Sequence, residues 1–141
     1  MRNMDKWLGS GGMPLIKLIG ASFDSYGLSE KNLGWVKGSW EPTEICLNVS
    51  GTVQAGVQAV LLDALMNFAA NTSLDGKDRT KATLEMKIDL LRPALKDEKL
   101  GLYGCITHLT RQVAFAYSEI TNEQSEIISR STGTFLLKRD Q

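Results

Sequence analysis

Residues Gly51 to Ala70 read GTVQAGVQAVLLDALMNFAA. From Gly56 onward the stretch has the apolar density of a helix that is buried. At about 100° per residue, Val57, Leu61, Leu65 and Phe68 gather on one side of a helix running to Leu74, with Leu62 flanking them. That side is expected to press into the core. Asp63 lies roughly opposite, among Gly56, Ala59, Asn67 and Ala70, all small or polar. This second side carries no Lys, Arg or Glu, so it is not an ordinary wet face. It suits close approach by another backbone, a ligand or a second subunit. Helix interiors disfavour Asp, and carboxylates are seldom buried without partners. Asp63, with Asn67 one turn further on, is therefore a candidate functional pair.

The residues just before the helix point the same way. Gly51-Thr-Val-Gln-Ala-Gly56 leads into a helix start, where the first N–H groups have no internal partner. Those groups carry a positive partial charge and can hold an anion or a developing oxyanion. A carboxylate two turns further along the same helix completes the elements of a hydrolytic arrangement.

Outward from the helix, the pattern changes to period two. In Ala82 to Leu91, the residues Leu84, Met86, Ile88 and Leu90 alternate with Thr83, Glu85, Lys87 and Asp89, which predicts a strand with one buried and one wet face. Arg92-Pro93 ends it. Strands over Lys99–Thr110, Gln112–Thr121 and Ser125–Lys138 follow, the last two joined by a tight turn at Asn122-Glu123. Upstream, Trp35 to Glu41 alternates as a strand that Pro42 ends. Ala21 to Tyr26 reads as a short strand or turn, and Glu44 to Val49 as an extended piece. Met1 to Ile19 is amphipathic, and Gly9, Gly11 and Gly12 divide it into two short helical pieces. Short connections make neighbouring strands antiparallel. The plan is α+β: one long hydrophobic helix against an antiparallel sheet that must wrap around it.

Composition bounds the function. The 141 residues suit one domain, here residues 1–141 with a short helical N-terminal extension over about 1–20. Lys plus Arg equals Asp plus Glu, and no dense basic stripe exists, which argues against nucleic acid as a partner. One His and two cysteines, with no CxxC pair, make no usual zinc site. Cys46 and Cys105 read as reduced thiols. No secretory signal pattern opens the chain, and Asp63 breaks its longest apolar stretch, so a cytoplasmic protein with no membrane span is expected. The Gly9-Ser-Gly-Gly12 run lacks the Lys-Ser/Thr ending of a phosphate loop.

Asn48, then Gly51-Thr-Val-Gln-Ala-Gly56, then Leu61-Leu62-Asp63 resembles the hotdog-fold acyl-CoA thioesterases, in particular the PaaI-like branch associated with phenylacetate degradation. Ala82-Thr83-Leu84-Glu85-Met86 and Leu91-Arg92-Pro93-Ala94 fit the same pattern, and the likeness runs from about Trp35 to Lys138. The resemblance implies a curved antiparallel sheet wrapped around the long helix. It also implies a homodimer, paired further as a dimer of dimers, with the site at the subunit interface. Asp63 falls on the catalytic carboxylate, acting as general base or nucleophile. Ala55 falls on the residue whose backbone N–H polarises the thioester carbonyl, with Gly56 beside it. Asn48 falls on the polar residue that positions water or the carboxylate, and Thr83 on a hydroxyl near the site. Val53 and Gln54 fall at the substrate. The substrate is an acyl-CoA carrying a small aryl or a short- to medium-chain acyl group, and no other cofactor is required. The pattern's His-Gly-Gly is here Gln54-Ala55-Gly56. A backbone donor survives the change to Ala, and Gln54 keeps hydrogen bonding but not the imidazole.

Three rival functions are weighed against this one. A thioester hydratase or dehydratase pairs a His with an acid, and the sole His is His108, inside a predicted strand. A non-catalytic acyl-CoA-binding domain is favoured by the altered Gln54-Ala55. A Ser or Cys hydrolase lacks a Gly-x-Ser-x-Gly elbow and any Cys-His neighbours.

Overall fold

The computed structural model of the protein describes residues 1–140. A single turn over Asp5–Trp7 and helix α1 (Pro14–Leu18) open the chain, so the N-terminal segment does form two short helical pieces. Strands β1 (Ala21–Leu28) and β2 (Gly34–Trp40) lead to helix α2 (Ala55–Thr72). Four strands follow: β3 (Arg79–Leu90), β4 (Leu100–Leu109), β5 (Val113–Thr121) and β6 (Ile127–Lys138). They form one six-stranded antiparallel sheet in the order β1-β2-β4-β5-β6-β3. The chain leaves the sheet at β2, runs through α2, and re-enters at the opposite edge as β3. The sheet wraps around α2, which is the hotdog fold.

Glu44 to Val49 is not extended as expected. Glu44–Cys46 makes one tight helical turn, and Leu47 pairs only with Val53. The Asn122 turn is held by its own side chain, whose Oδ1 accepts from the N–H groups of Gln124 and Glu126.

The buried side of α2 holds Gln58, Leu61, Leu62, Leu65, Met66, Phe68, Ala69, Ala70 and Thr72. Val57, placed on that side by the sequence, is only partly buried. Ala70, placed beside Asp63, is instead in the core. Leu61, Leu62, Leu65 and Met66 have no exposed surface, and burial of each such side chain contributes about 1.5–3 kcal/mol.

The sheet meets α2 with small residues. On β5 the inward positions are Ala114, Ala116 and Ser118, while Phe115 is exposed. Ser118 donates its hydroxyl to the carbonyl of Leu62 at 2.9 Å. At Gly104 of β4 an added Cβ would lie 2.7 Å from the Leu65 carbonyl oxygen and 2.9 Å from its carbon. At Gly34 of β2 it would overlap the Ala69 carbonyl. Here glycine is required by the closeness of helix to sheet, not by a turn.

β3 differs from expectation. It pairs only with β6, and its other edge is open. Met86 and Ile88 are partly buried, but Leu84 and Leu90 are about half exposed, at 54% and 51%. Alternation sets one apolar face; it does not provide a neighbour to cover it.

Candidate functional site

Asp63 is half-buried on the side of α2 that the sheet does not cover. Thr83 of β3 donates its hydroxyl to Asp63 Oδ1 at 3.2 Å. Loss of water around Asp63 raises its pKa above the ordinary 3.8, and the Thr83 hydrogen bond, which favours the charged form, opposes part of that rise. Removing only that bond by Thr83→Val is expected to raise the Asp63 pKa further. A 13C titration of the Asp63 carboxyl checks this, and an unchanged or lowered midpoint would contradict it.

What closes over Asp63 is the N-terminal segment. A cavity of about 370 Å³ lies between that segment and α2. Met4, Trp7, Met13 and Ile16 line it on one side; Val60, Asp63, Ala64, Asn67 and Phe68 line it on the other. Its walls are mostly apolar, and the flexible Met4 and Met13 side chains adapt to varied shapes. A second cavity of about 180 Å³ reaches Asp63 and Asn67 from the β3 side, past Thr80, Lys81, Ala82 and Thr83.

Short bonds tie the segment down. Gly9 and Phe23 exchange N–H···O bonds of 2.8 and 2.7 Å. The Met4 N–H donates to the Tyr26 hydroxyl at 2.9 Å, and that hydroxyl donates to Asp5 at 2.6 Å. Gly9, Gly11 and Gly12 all have positive φ, at 72°, 66° and 70°.

Asn67 does not bond Asp63. Its Oδ1 accepts from the Thr80 hydroxyl at 2.6 Å and from Asn71 Nδ2 at 3.4 Å. Asn71 in turn accepts from Arg2 at 3.4 Å, which joins the N-terminal segment to the polar stripe of α2. Sequence reasoning missed Asn71, Thr80 and Arg2. Asn71 was within reach, because Asp63, Asn67 and Asn71 recur every fourth residue.

The other predicted residues gather at the start of α2. Asn48 Oδ1 accepts from the N–H groups of Ser50 at 2.9 Å and Thr52 at 3.2 Å, and Asn48 Nδ2 donates to Thr52 Oγ1. It organises the loop into which Gly51 bends with φ of 83°. Val53 is buried and donates its N–H to the Ala94 carbonyl at 2.9 Å. Gln54 caps the helix with its backbone only. Ala55 and Gly56 are exposed, at positions where a helix has no acceptor for its N–H groups.

Asp63 and Ala55 are not brought together within one chain. Eight residues of helix separate them, about 12 Å of rise. A carbonyl held by one is out of reach of the other. His108 is exposed, stacks on Phe115 at 5.7 Å between ring centres, and lines neither cavity at Asp63. Among the described residues, no helix is long and apolar enough to cross a membrane.

The sequence pattern of the Thioesterase superfamily matches residues 50–129, more than half of the chain. No curated protein matches the chain in sequence. Among solved structures, a thioesterase from Haemophilus influenzae superposes with a TM-score of 0.83 at 14% identity, over 99% of this chain and 92% of that one. The PaaI protein from the phenylacetic acid degradation operon of E. coli gives 0.74 at 20% identity, over 92% and 86%. A Streptococcus mutans protein bound to acetyl CoA gives 0.71 at 18% identity, over 84% and 92%.

Proposed function

The chain belongs to the thioesterase superfamily, and on that premise we propose that it is an acyl-CoA thioesterase of the PaaI-like kind, with Asp63 as the general base that activates water. Membership supports a thioesterase-type activity on acyl-CoA-like substrates. The observation that carries the finer reading is the position of Asp63: a half-buried carboxylate of raised pKa on the wall of an apolar cavity. A base works best when its pKa approaches the working pH, and burial moves Asp63 in that direction.

The acyl group occupies the 370 Å³ cavity under the N-terminal segment. An apolar cavity of about 150 Å³ already admits benzene. The larger volume suits an aryl ring with its linker, or a medium straight chain. The thioester carbonyl then sits at Asp63, and the coenzyme extends outward.

The oxyanion donors come from a second copy. A reacting carbonyl needs its donor and its nucleophile each about 3 Å away, and the 12 Å rise between Ala55 and Asp63 forbids that in one chain. A homodimer in which one protomer gives Asp63 and its partner gives the Ala55 N–H meets the requirement. The open edge of β3, with Leu84 and Leu90 exposed, supports such a pairing. Pairing of two dimers follows from the resemblance. Free Cys46 and Cys105 fit a reducing cytoplasm.

Release of free thiol from a panel of aryl- and alkyl-CoA thioesters tests the proposal, with a substrate-free blank for Cys46 and Cys105. Turnover on one part of the panel is the expected result. Binding of acyl-CoA without turnover on any member would overturn it in favour of a binding domain.

A further inference from the structure

The outer face of the sheet, turned away from α2, does not have the make-up of a face left to water. Val36, Leu102, Gly104, Ala116, Ser118 and Ser131 are the buried positions of the middle strands, so the residues alternating with them point outward. Register sets those residues side by side. Trp35, Cys105, Tyr117 and Thr132 form one row across β2, β4, β5 and β6. Lys37, Tyr103, Glu119 and Arg130 form the next. Gly27 makes room for the Trp35 indole, since a Cβ there would lie 2.8 Å from the ring. Phe115 is exposed and borders a groove of about 470 Å³ with Tyr117, Thr132 and Thr134. Aromatic side chains at the centre and charged ones around them are the composition of a protein interface.

Charge and area both choose a second copy of this chain as what covers the face. Around the two rows Lys37, Lys87 and Arg130 are balanced by Glu85, Asp89 and Glu119. A face so balanced does not repel a copy of itself, and it offers no net sign to a nucleic acid or to a strongly charged protein. Strands about 4.8 Å apart that rise about 3.4 Å per residue give the four middle strands, over about eight residues each, roughly 500 Å² of face per chain. A dimer joined edge to edge at β3 presents two such faces in one continuous sheet, about 1,000 Å², against the roughly 800 Å² a side of a stable interface. The side of α2 turned from the sheet is already met by the N-terminal segment, which buries Met4 and Ile16.

We propose that two edge-paired dimers pack back to back through this outer sheet face, giving four chains with α2 and its cavity on the outside. The groove beside Phe115 takes a side chain of the facing copy. The inference rests on the β3-edge pairing of the proposed function and is independent of the reaction.

Sedimentation of the wild type, read beside maleimide labelling of its thiols, tests this. Cys105 lies on the face and is only partly buried in the single chain, while buried Cys46 is the silent reference. Four chains with Cys105 protected is the expected result. Phe115→Glu, and separately Lys37→Glu, should fall to two chains and label Cys105 about tenfold faster, because thiol reactivity follows exposure. Four chains that neither variant divides, with Cys105 labelled freely, would put the contact on another face and overturn the proposal. Two chains in the wild type with Cys105 labelled freely would overturn it and leave the edge pairing standing. A single chain, or two chains with Cys105 protected, would overturn the edge pairing as well. Thiol release from acyl-CoA judges the thioesterase reading separately.

Discussion

Asp63→Asn is expected to lower kcat about 1,000-fold on the best acyl-CoA substrate, the size typical of losing a positioned base, while making the protein more stable at neutral pH. The two effects share a cause. Asp63 has lost much of its water, which raises its pKa, and the Thr83 hydroxyl returns only part of what was lost. The folded protein therefore binds a proton at Asp63 more tightly than the unfolded chain does. Above both pKa values the group is charged in either state, and its charge weighs against folding. That cost fades as pH falls through the folded pKa, and is gone below the ordinary value of 3.8. Asn carries no charge at any pH. The gain in melting temperature should be present at neutral pH and vanish in acid. Thiol release and thermal melts across pH read both halves. A loss of rate under about tenfold would move the base elsewhere; a drop in stability at neutral pH would make the carboxylate a structural partner.

Gly104→Ala is the second large effect. The new methyl would meet the Leu65 carbonyl oxygen at 2.7 Å, and a buried helix backbone cannot step aside as a side chain can. Overpacking of this kind costs about 1–3 kcal/mol, so the melting temperature is expected to fall by roughly 3–10 °C for a chain of this size. Leu65 lies two residues beyond Asp63 on the same helix. A displacement of about 1 Å at a catalytic group costs on the order of 100-fold in rate, so activity should fall with stability. Gly56→Ala is the comparison for stability alone. Nothing lies within 4 Å of its added Cβ and its φ is not positive, so that melt should stay level or rise. Equal melts for the two variants would contradict the close approach of helix to sheet at Gly104.

How much of this was legible beforehand depends on range. The helix was legible because its apolar side and its Asp63–Asn67 notch obey one period over many residues. The C-terminal strands were legible through alternation. Alternation could not say that Ala114, Ala116 and Ser118 face inward while Phe115 faces out. That choice is made by how near α2 comes, a fact of three dimensions. Nor could it say that Leu84 and Leu90 would lie on an edge strand with no neighbour. The Asp63–Thr83 contact spans 20 residues and was reachable only through resemblance. The link from Arg2 to Asn71 spans 69, and no local pattern announces it.

The two walls of the cavity proposed for the acyl group have different histories open to them. One wall is α2, gripped by a sheet floored with glycine and alanine, where almost any enlargement displaces Asp63. The other is the N-terminal segment, which sends Met4 and Ile16 into the core but turns at three glycines and exposes half of Trp7. Substitutions at Trp7 or Met13 can reshape the chamber and leave Asp63 where it is. On the proposed function, substrate preference can therefore drift across descendants while the hydrolytic step is inherited intact.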